Sequence, residues 1–527
     1  MARVKKAKKR NPVPAAKQAF KRKTDVKKNK RIKTVESGTD FVTKRELVFV
    51  IVMVFFVLVL RTLSADTPLD RNEAVYACAA ETINNGGVLY RDVFDHKPPF
   101  IHYIYSMAFK IGGTADTAVR NMAAGFFAAA MILFYMLARA IAKSRITAAF
   151  ALVVYAVFFH SPVHGGFLAE TELFSQFFIF LALLFVIETE RGYEHATGFL
   201  AGFFLAAAFY TSYLTAPLTI AFVVYLVYFS GRKKRMKETA WLVAGFAFMA
   251  LLVTAHAAYK GMLGSFVEAN LAYNIYFLAQ RMELEFFNVF AENTKYFVFS
   301  YMLPAAGVMY CLYREVKAKK RTGFVIVILC FVSLFAIIAA VKAGSPRYFL
   351  LLVPFMALMS GVMLSDLYRF ISSRKTGKAA AVFVLAALAA AGTVVFYKTA
   401  GYSYMIKNRT FAGAEAHEAK SMGLYIKGLK KEGDELFCWP NEPAVYFYSG
   451  CRPGTRFLNS HPYGYFINSF SEAVMELENY PPVFFVKKQG VDDSFFSAII
   501  GKNYSIAASG KRLALYKRTE RLIREAQ

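Results

Sequence analysis

Long apolar runs alternate with short polar, basic stretches along most of the chain. The runs at 46–63, 117–141, 146–160, 171–187, 240–259, 295–313, 323–341, 348–366 and 379–398 are close to the length a helix needs to cross a bilayer, and a soluble fold could not bury so many. A further apolar stretch, 196–230, is broken by Thr211-Ser212 and by Pro217, and predicts two short helices. The first run, Leu47 to Leu60, begins only after more than forty polar residues, so it reads as a retained span rather than a cleaved signal. From residue 400 the pattern changes. Glu435–Trp439, Val483–Lys487 and Leu513–Lys517 read as short buried strands, and 412–431, 470–479 and 492–500 as helices. The expected fold is a polytopic α-helical membrane protein with about eleven membrane helices and a small C-terminal α/β domain. Its divisions are a basic tail (1–44), a membrane domain (45–399) and the α/β domain (400–527).

Charge orients this layout. Hydrophobic residues make up 57% of the chain and charged residues 19%, with a net charge of +28. Residues 1–34 hold fifteen Lys/Arg against one acid, Asp25, and show no apolar periodicity. Only Phe20 interleaves those charges with an aromatic ring, which argues against nucleic acid and for a solvated tail that keeps the N-terminus cytosolic beside anionic lipids. The basic clusters Lys143/Arg145, Arg232–Arg235, Lys317–Arg321 and Arg369–Lys378 share the cytosolic side only if 196–230 enters and leaves on one face. The loops 64–116, 161–170, 260–294 and 342–347 then lie outside, with the C-terminal domain. Cys311 and Cys330 read as buried packing residues. Cys438 and Cys451 leave one disulfide open, which spacing does not decide.

The first outside loop carries most of the chemistry. Asp70-Arg71-Asn72-Glu73 opens a helix expected to run to about Asn84, and Asp70 and Glu73 can share one face of it. Asp70 can equally serve as the helix cap. Arg91, His96 and Lys97 then sit among Asp92 and Asp95, just before Pro98-Pro99. A lone interfacial lysine usually snorkels, but cations mixed with carboxylates at a membrane face suit a phosphate-bearing substrate and a proton transfer. Glu170 and Glu172 open the span at 171, and Arg347 and Tyr348 open the span at 348; such residues can also be merely interfacial. His160 and His164 flank Pro162 and read as loose surface histidines rather than metal ligands. The acidic loops could hold a divalent cation. The tail domain shows no Gly-rich phosphate loop, no metal-spaced His/Cys set and no Gly-x-Ser-x-Gly elbow.

The run Leu69–Tyr76, followed by Gly87 and Tyr90-Arg91-Asp92-Val93-Phe94-Asp95-His96-Lys97-Pro98-Pro99, resembles the first-loop signature of bacterial protein-mannosyltransferase-like or aminoarabinose-transferase-like glycosyltransferases of the C superfamily. Ala169–Phe174 resembles that family's second acidic loop, Arg347–Pro354 its late Tyr-Phe…Pro segment, and Asp434–Tyr448 its outer α/β tail. The resemblance implies a sugar donor on a polyprenyl phosphate. It implies transfer, usually with inversion, to a lipid, glycan or protein acceptor on the outer face of the bacterial inner membrane. It places Asp70 or Glu73 as the base, Lys97, Arg347 and Arg91 at the donor phosphate, and Asn72, Tyr90, Asp95, His96, Glu170, Glu172 and Tyr348 around them. Two departures stand out. Asn72 occupies the position where many relatives have an acid, and Asn cannot accept a proton at neutral pH. No lysine stands near Thr211-Ser212-Tyr213, where relatives often have one. A non-catalytic subunit that binds lipid-linked glycans, and a transporter or flippase, remain the competing readings; a transporter would need broken or charged helices near the bilayer centre.

Overall fold

The computed structural model describes residues 43–519 apart from short internal stretches, the longest being 374–395 and 460–468. The basic tail, most of the expected span 379–398, and the basic residues at 232–234, 319–321 and 374–378 lie outside the described residues.

Most of the expected apolar runs are helices with closely matching bounds. The first run lies in Lys44–Thr62, and the next are Asp116–Ala142, Arg145–Phe159 and Thr171–Arg191. The interrupted stretch behaves as its composition dictates. Glu194–Phe209 ends ahead of Thr211, Tyr213–Thr215 is a 3-10 turn, and helix resumes at Pro217, which is suited to a first turn because its missing N–H would be unpaired there. Glu194–Phe209 packs backbone to backbone on Arg235–Tyr259. A Cβ on Gly202 would overlap the Leu242 carbonyl and one on Gly245 the Phe199 carbonyl, so only glycine allows this approach.

Three described helices are long and apolar enough to cross a membrane: Asp116–Ala142, Thr171–Glu188 and Met236–Tyr259. Arg145–Phe159, His195–Phe209, Tyr213–Phe229 and Val325–Ala340 are apolar but shorter, and the bent pair Phe287–Ser300 and Met302–Lys317 passes the same test as one broken span. Two spans differ from expectation. The run 295–313 is not one helix but two, Leu284–Ser300 and Met302–Lys317, bent by 89° at Tyr301. Pro304 sits in the first turn of the second helix, where it has no N–H to continue the preceding one. The run 348–366 begins as a 3-10 turn, Pro346–Leu351, and becomes α-helical only at Val353.

The C-terminal segment forms a five-stranded sheet: β1 Glu435–Trp439, β2 Arg452–Pro453, β3 Phe484–Lys488, β4 Tyr504–Ser509 and β5 Leu513–Arg518, in the order β2-β1-β3-β5-β4. β1 is parallel to β2 and β3, while β5 is antiparallel to β3 and β4. Phe437, Phe485, Leu477, Phe496 and Tyr504 make its core. β4 escaped the sequence pattern because it is an edge strand with most side chains exposed. Both candidate disulfide thiols are free. The register pairs Glu435 with Arg452, so Cys451 falls about four residues, roughly 13 Å along the strand, from Cys438, too far for a disulfide.

This segment is fastened to the first loop. Helix Pro443–Ser449 packs on helix Arg71–Asn84. The Leu69 N–H donates to Tyr448 Oη at 2.9 Å, Lys420 Nζ reaches Asp116 at 2.8 Å, and the Phe94 N–H donates to the Arg456 carbonyl at 2.8 Å.

Candidate active site

Three segments distant in sequence meet at Arg347: the start of helix Arg71–Asn84, the entry to helix Thr171–Arg191, and the turn Pro346–Leu351. Arg347 Nη2 donates to Asp70 Oδ2 at 2.9 Å, Nη1 to Glu170, and Nε to Ser345 Oγ at 3.0 Å. Asp70 is the helix cap, and its side chain is 37% exposed against 4% for Glu170, so Asp70 is the more accessible carboxylate of the two. Burial would raise the Asp70 carboxyl, but the Arg347 guanidinium overrides it and holds the group below the ordinary carboxylate range. Glu170 goes the other way. Burial, opposed by Arg347 but joined by Glu172 and Asp70, pushes it up to about 7. Its second oxygen accepts from Tyr76 Oη at 3.2 Å.

Glu73 lies behind Asp70 with no solvent exposure. Arg120 holds it bidentately, Nη1 to Oε1 at 2.5 Å and Nη2 to Oε2 at 2.8 Å. Glu73 also accepts the backbone N–H of Ala169 at 2.6 Å and of Asp70 at 2.9 Å. Its acceptor capacity is filled from both sides, which suits a brace that fixes the Asp70 backbone. Sequence reasoning missed Arg120. The available signal was an arginine inside an otherwise apolar helix, which must find a partner.

Lys97 comes from the loop ahead of helix Pro99–Gly112. Asp95, buried, accepts from His102 Nε2 at 2.8 Å and from the His96 N–H at 2.7 Å. The His96 ring lies against Tyr273 and Phe277, and its carbonyl accepts from Asn274 at 3.0 Å. Tyr90, buried at φ +66°, donates its hydroxyl to the Lys97 carbonyl at 2.9 Å. Positive φ is costly for a bulky residue, so the loop is over-determined at this point. Asp95, His96 and Tyr90 thus fix the backbone of Lys97 and leave its ammonium free. Among the described residues Nζ makes no ion pair, and it lies 5.5 Å from the Tyr348 ring centre. Burial would lower its pKa, but Tyr348, Glu172, Glu170 and Asp95 more than compensate and keep it above the ordinary lysine value. Glu172 is 1% exposed and neither carboxylate oxygen has a hydrogen-bond partner among the described residues.

The remaining expected residues divide. Asn72 lines a cleft of about 360 Å³ together with Asp70, Arg347, Glu415 and Glu442. Arg91 does not join them. It is exposed, paired with Asp92 at 2.7 Å, and lines a separate surface depression with Arg456 and Glu476, because the Val88–Asp92 turn directs it outward. The two histidines are not at the surface. His160 has no exposure, with Nδ1 on the Ala156 carbonyl at 2.8 Å and Nε2 3.3 Å from Arg61. His164 is 1% exposed. Arg61 also donates to the carbonyls of Gly166 and Phe167, which ties the 161–168 loop to the helix that carries Arg61. Among the described residues no three His, Cys, Asp or Glu side chains converge as a metal site.

Residues 96–259, which include Lys97, Glu170 and Glu172, match the family model described as dolichyl-phosphate-mannose-protein mannosyltransferase. Among solved structures, the crystal structure of ArnT from Cupriavidus metallidurans bound to undecaprenyl phosphate superposes with a TM-score of 0.63 at 13% identity, over 90% of this chain and 98% of that one. The fold is that of ArnT. The apo state of the same ArnT superposes with a TM-score of 0.59 at the same identity and coverage. No curated protein matches the chain in sequence. At 13% identity the two superpositions concern the fold, and the family model covers the stretch from His96 to Tyr259.

Proposed function

We propose that the chain is a multi-spanning membrane glycosyltransferase that moves a sugar from a polyprenyl-phosphate donor to a lipid, glycan or protein acceptor on the outer face of a bacterial inner membrane. The observation that carries the proposal is the free Lys97 ammonium, held beside the Asp70–Arg347–Glu170 cluster. ArnT, which shares the fold, has been crystallised with undecaprenyl phosphate, and the same class of lipid suits Lys97. Lys97 would hold the donor phosphate and stabilise the negative charge that grows on it as the sugar–phosphate bond breaks. Asp70 faces the cleft and would take the proton from the acceptor hydroxyl. Attack from the side opposite the phosphate inverts the anomeric centre. Arg347 keeps Asp70 ionised, and Glu170, with its higher proton affinity, can receive the proton from the shared cluster.

Within this reading Glu73 positions Asp70, and Arg91 has no part in the donor site. The N-terminus is cytosolic, while the first loop and the sheet domain fastened to it lie outside. The test is transfer of radiolabel from a polyprenyl-phosphate sugar by purified protein in nanodiscs supplied with envelope extract. Turnover that is lost in Asp70→Asn supports the assignment; wild-type turnover in Asp70→Asn and Glu170→Gln alike removes it. A second reading is a non-catalytic subunit that binds lipid-linked glycan. It is favoured by Asn72, which cannot act as a base, and predicts donor binding without turnover.

A further inference from the structure

We propose that the cavity between Asp70, His164 and the tail helix Ala414–Leu429 is the acceptor subsite, and that it takes an uncharged sugar ring rather than a phosphorylated or carboxylated group. The proposal rests on the glycosyltransferase reading above. The cavity holds about 300 Å³, the small end of ligand sites. Its polar wall is Asp70, Arg347, His164, Ser345 and Glu415; the rest is proline, glycine and small apolar side chains. Gly165, at φ +73°, turns the loop so that this wall can close beside Arg347.

His164 is the decisive feature. Its Nδ1 lies 2.8 Å from Ser161 Oγ, and Nε2, buried, has no hydrogen-bond partner among the described residues. Tyr296, Phe297 and Tyr301 pack around the ring at 5.8, 5.6 and 5.1 Å between centroids, so it cannot turn away. A buried ring nitrogen without a partner is costly, and a ligand hydroxyl removes that cost. Burial pushes the imidazole down to about 3, so it meets a ligand as a neutral group.

The charges around the cavity select against an anion. Arg347 is already engaged by Asp70, Glu170 and Ser345, while Glu415 is engaged by Arg71 and Arg512. An acceptor phosphate would face the Asp70 and Glu415 carboxylates, with no free cation among the described residues of the wall. A hydroxyl placed between His164 and Asp70 loses its proton to Asp70. Its oxygen bonds to the anomeric carbon, and the bonding electrons of the sugar–phosphate link leave on the phosphate.

The test uses the full chain in nanodiscs with a radiolabelled polyprenyl-phosphate sugar, and offers methyl mannoside, methyl glucoside or mannose 6-phosphate as acceptor. Transfer to an uncharged glycoside and none to mannose 6-phosphate is expected. His164→Ala should raise the glycoside KM about tenfold, the loss of one hydrogen bond, and His164→Gln should restore most of it. Ala416→Phe, which fills the cavity from the tail helix, should shift the products from transfer toward donor hydrolysis. Equal glycoside KM in His164→Ala, equal partition in Ala416→Phe, transfer to mannose 6-phosphate, or donor hydrolysis without transfer to either glycoside would overturn the acceptor assignment. No donor turnover with any acceptor, water included, overturns the glycosyltransferase reading and this inference with it.

Discussion

Replacing Lys97 with methionine removes the free cation of the site while keeping an unbranched side chain of similar length. The backbone at this position is held by Asp95, Tyr90 and Asn274 through neighbouring atoms, so the loop should keep its course. The loss can be bounded. A hydrogen bond to a charged group contributes about 1.5–3 kcal/mol net. A bare ion pair at 4 Å with an effective dielectric of 20 gives about 4 kcal/mol as an upper limit. Because Lys97 is half-buried, the lower range applies, and affinity for undecaprenyl phosphate should fall roughly 10- to 150-fold. The assay is the melting temperature of the detergent-solubilised protein against lipid concentration. A ligand at 100 times its Kd stabilises the native state by about 2.7 kcal/mol, so at the same concentration the stabilisation of Lys97→Met should fall to about 0.3–1.4 kcal/mol. A wild-type shift in the variant would refute the phosphate role, because no other described cation near Asp70 is free to replace it.

Glu73→Gln leaves Arg120 buried against a neutral group, so the melting temperature should drop by the equivalent of about 3–5 kcal/mol; an unchanged melting curve would contradict the bracing role. Glu170 binds its proton more tightly in the native state than the ordinary carboxylate value of 4.5, so its contribution to stability is fully present below about pH 4.5 and is lost as pH rises through about 7. Wild type should therefore lose stability relative to Glu170→Gln between about pH 5 and pH 8, and parallel pH curves would refute it. Arg91→Ala, at an exposed side chain paired with its neighbour, should leave undecaprenyl-phosphate affinity within about twofold; a loss matching that of Lys97→Met would restore Arg91 to the donor site.

Local features were readable from the chain. Asp70 ahead of an apolar-periodic run and Gly86-Gly87 after it bound the helix found at Arg71–Asn84, and the short apolar run at 435–439 located β1. The motif around Lys97 marked a candidate site because its residues are contiguous. What stayed hidden depends on contacts across the fold. Asp70 and Arg347 are 277 positions apart and Glu73 and Arg120 are 47 apart, so no local pattern tells an accessible carboxylate from one locked in a buried ion pair. His164 read as a surface residue because its loop is short and polar; the arginine at 61 that ties the loop down belongs to another helix. The 89° bend at Tyr301 sits inside an unbroken apolar run, where hydropathy is silent and only Pro304 gave a sign.

The central claim is sugar transfer from a polyprenyl phosphate at the Asp70–Lys97 site. Its most direct test is the product of purified wild-type protein and Asp70→Asn, each given a radiolabelled polyprenyl-phosphate sugar and an envelope extract. The account predicts a labelled envelope glycan, lipid or protein with wild type and a rate lower by about 10²–10⁴-fold with Asp70→Asn. Donor bound but never consumed by wild type, or equal rates from the two proteins, would contradict it.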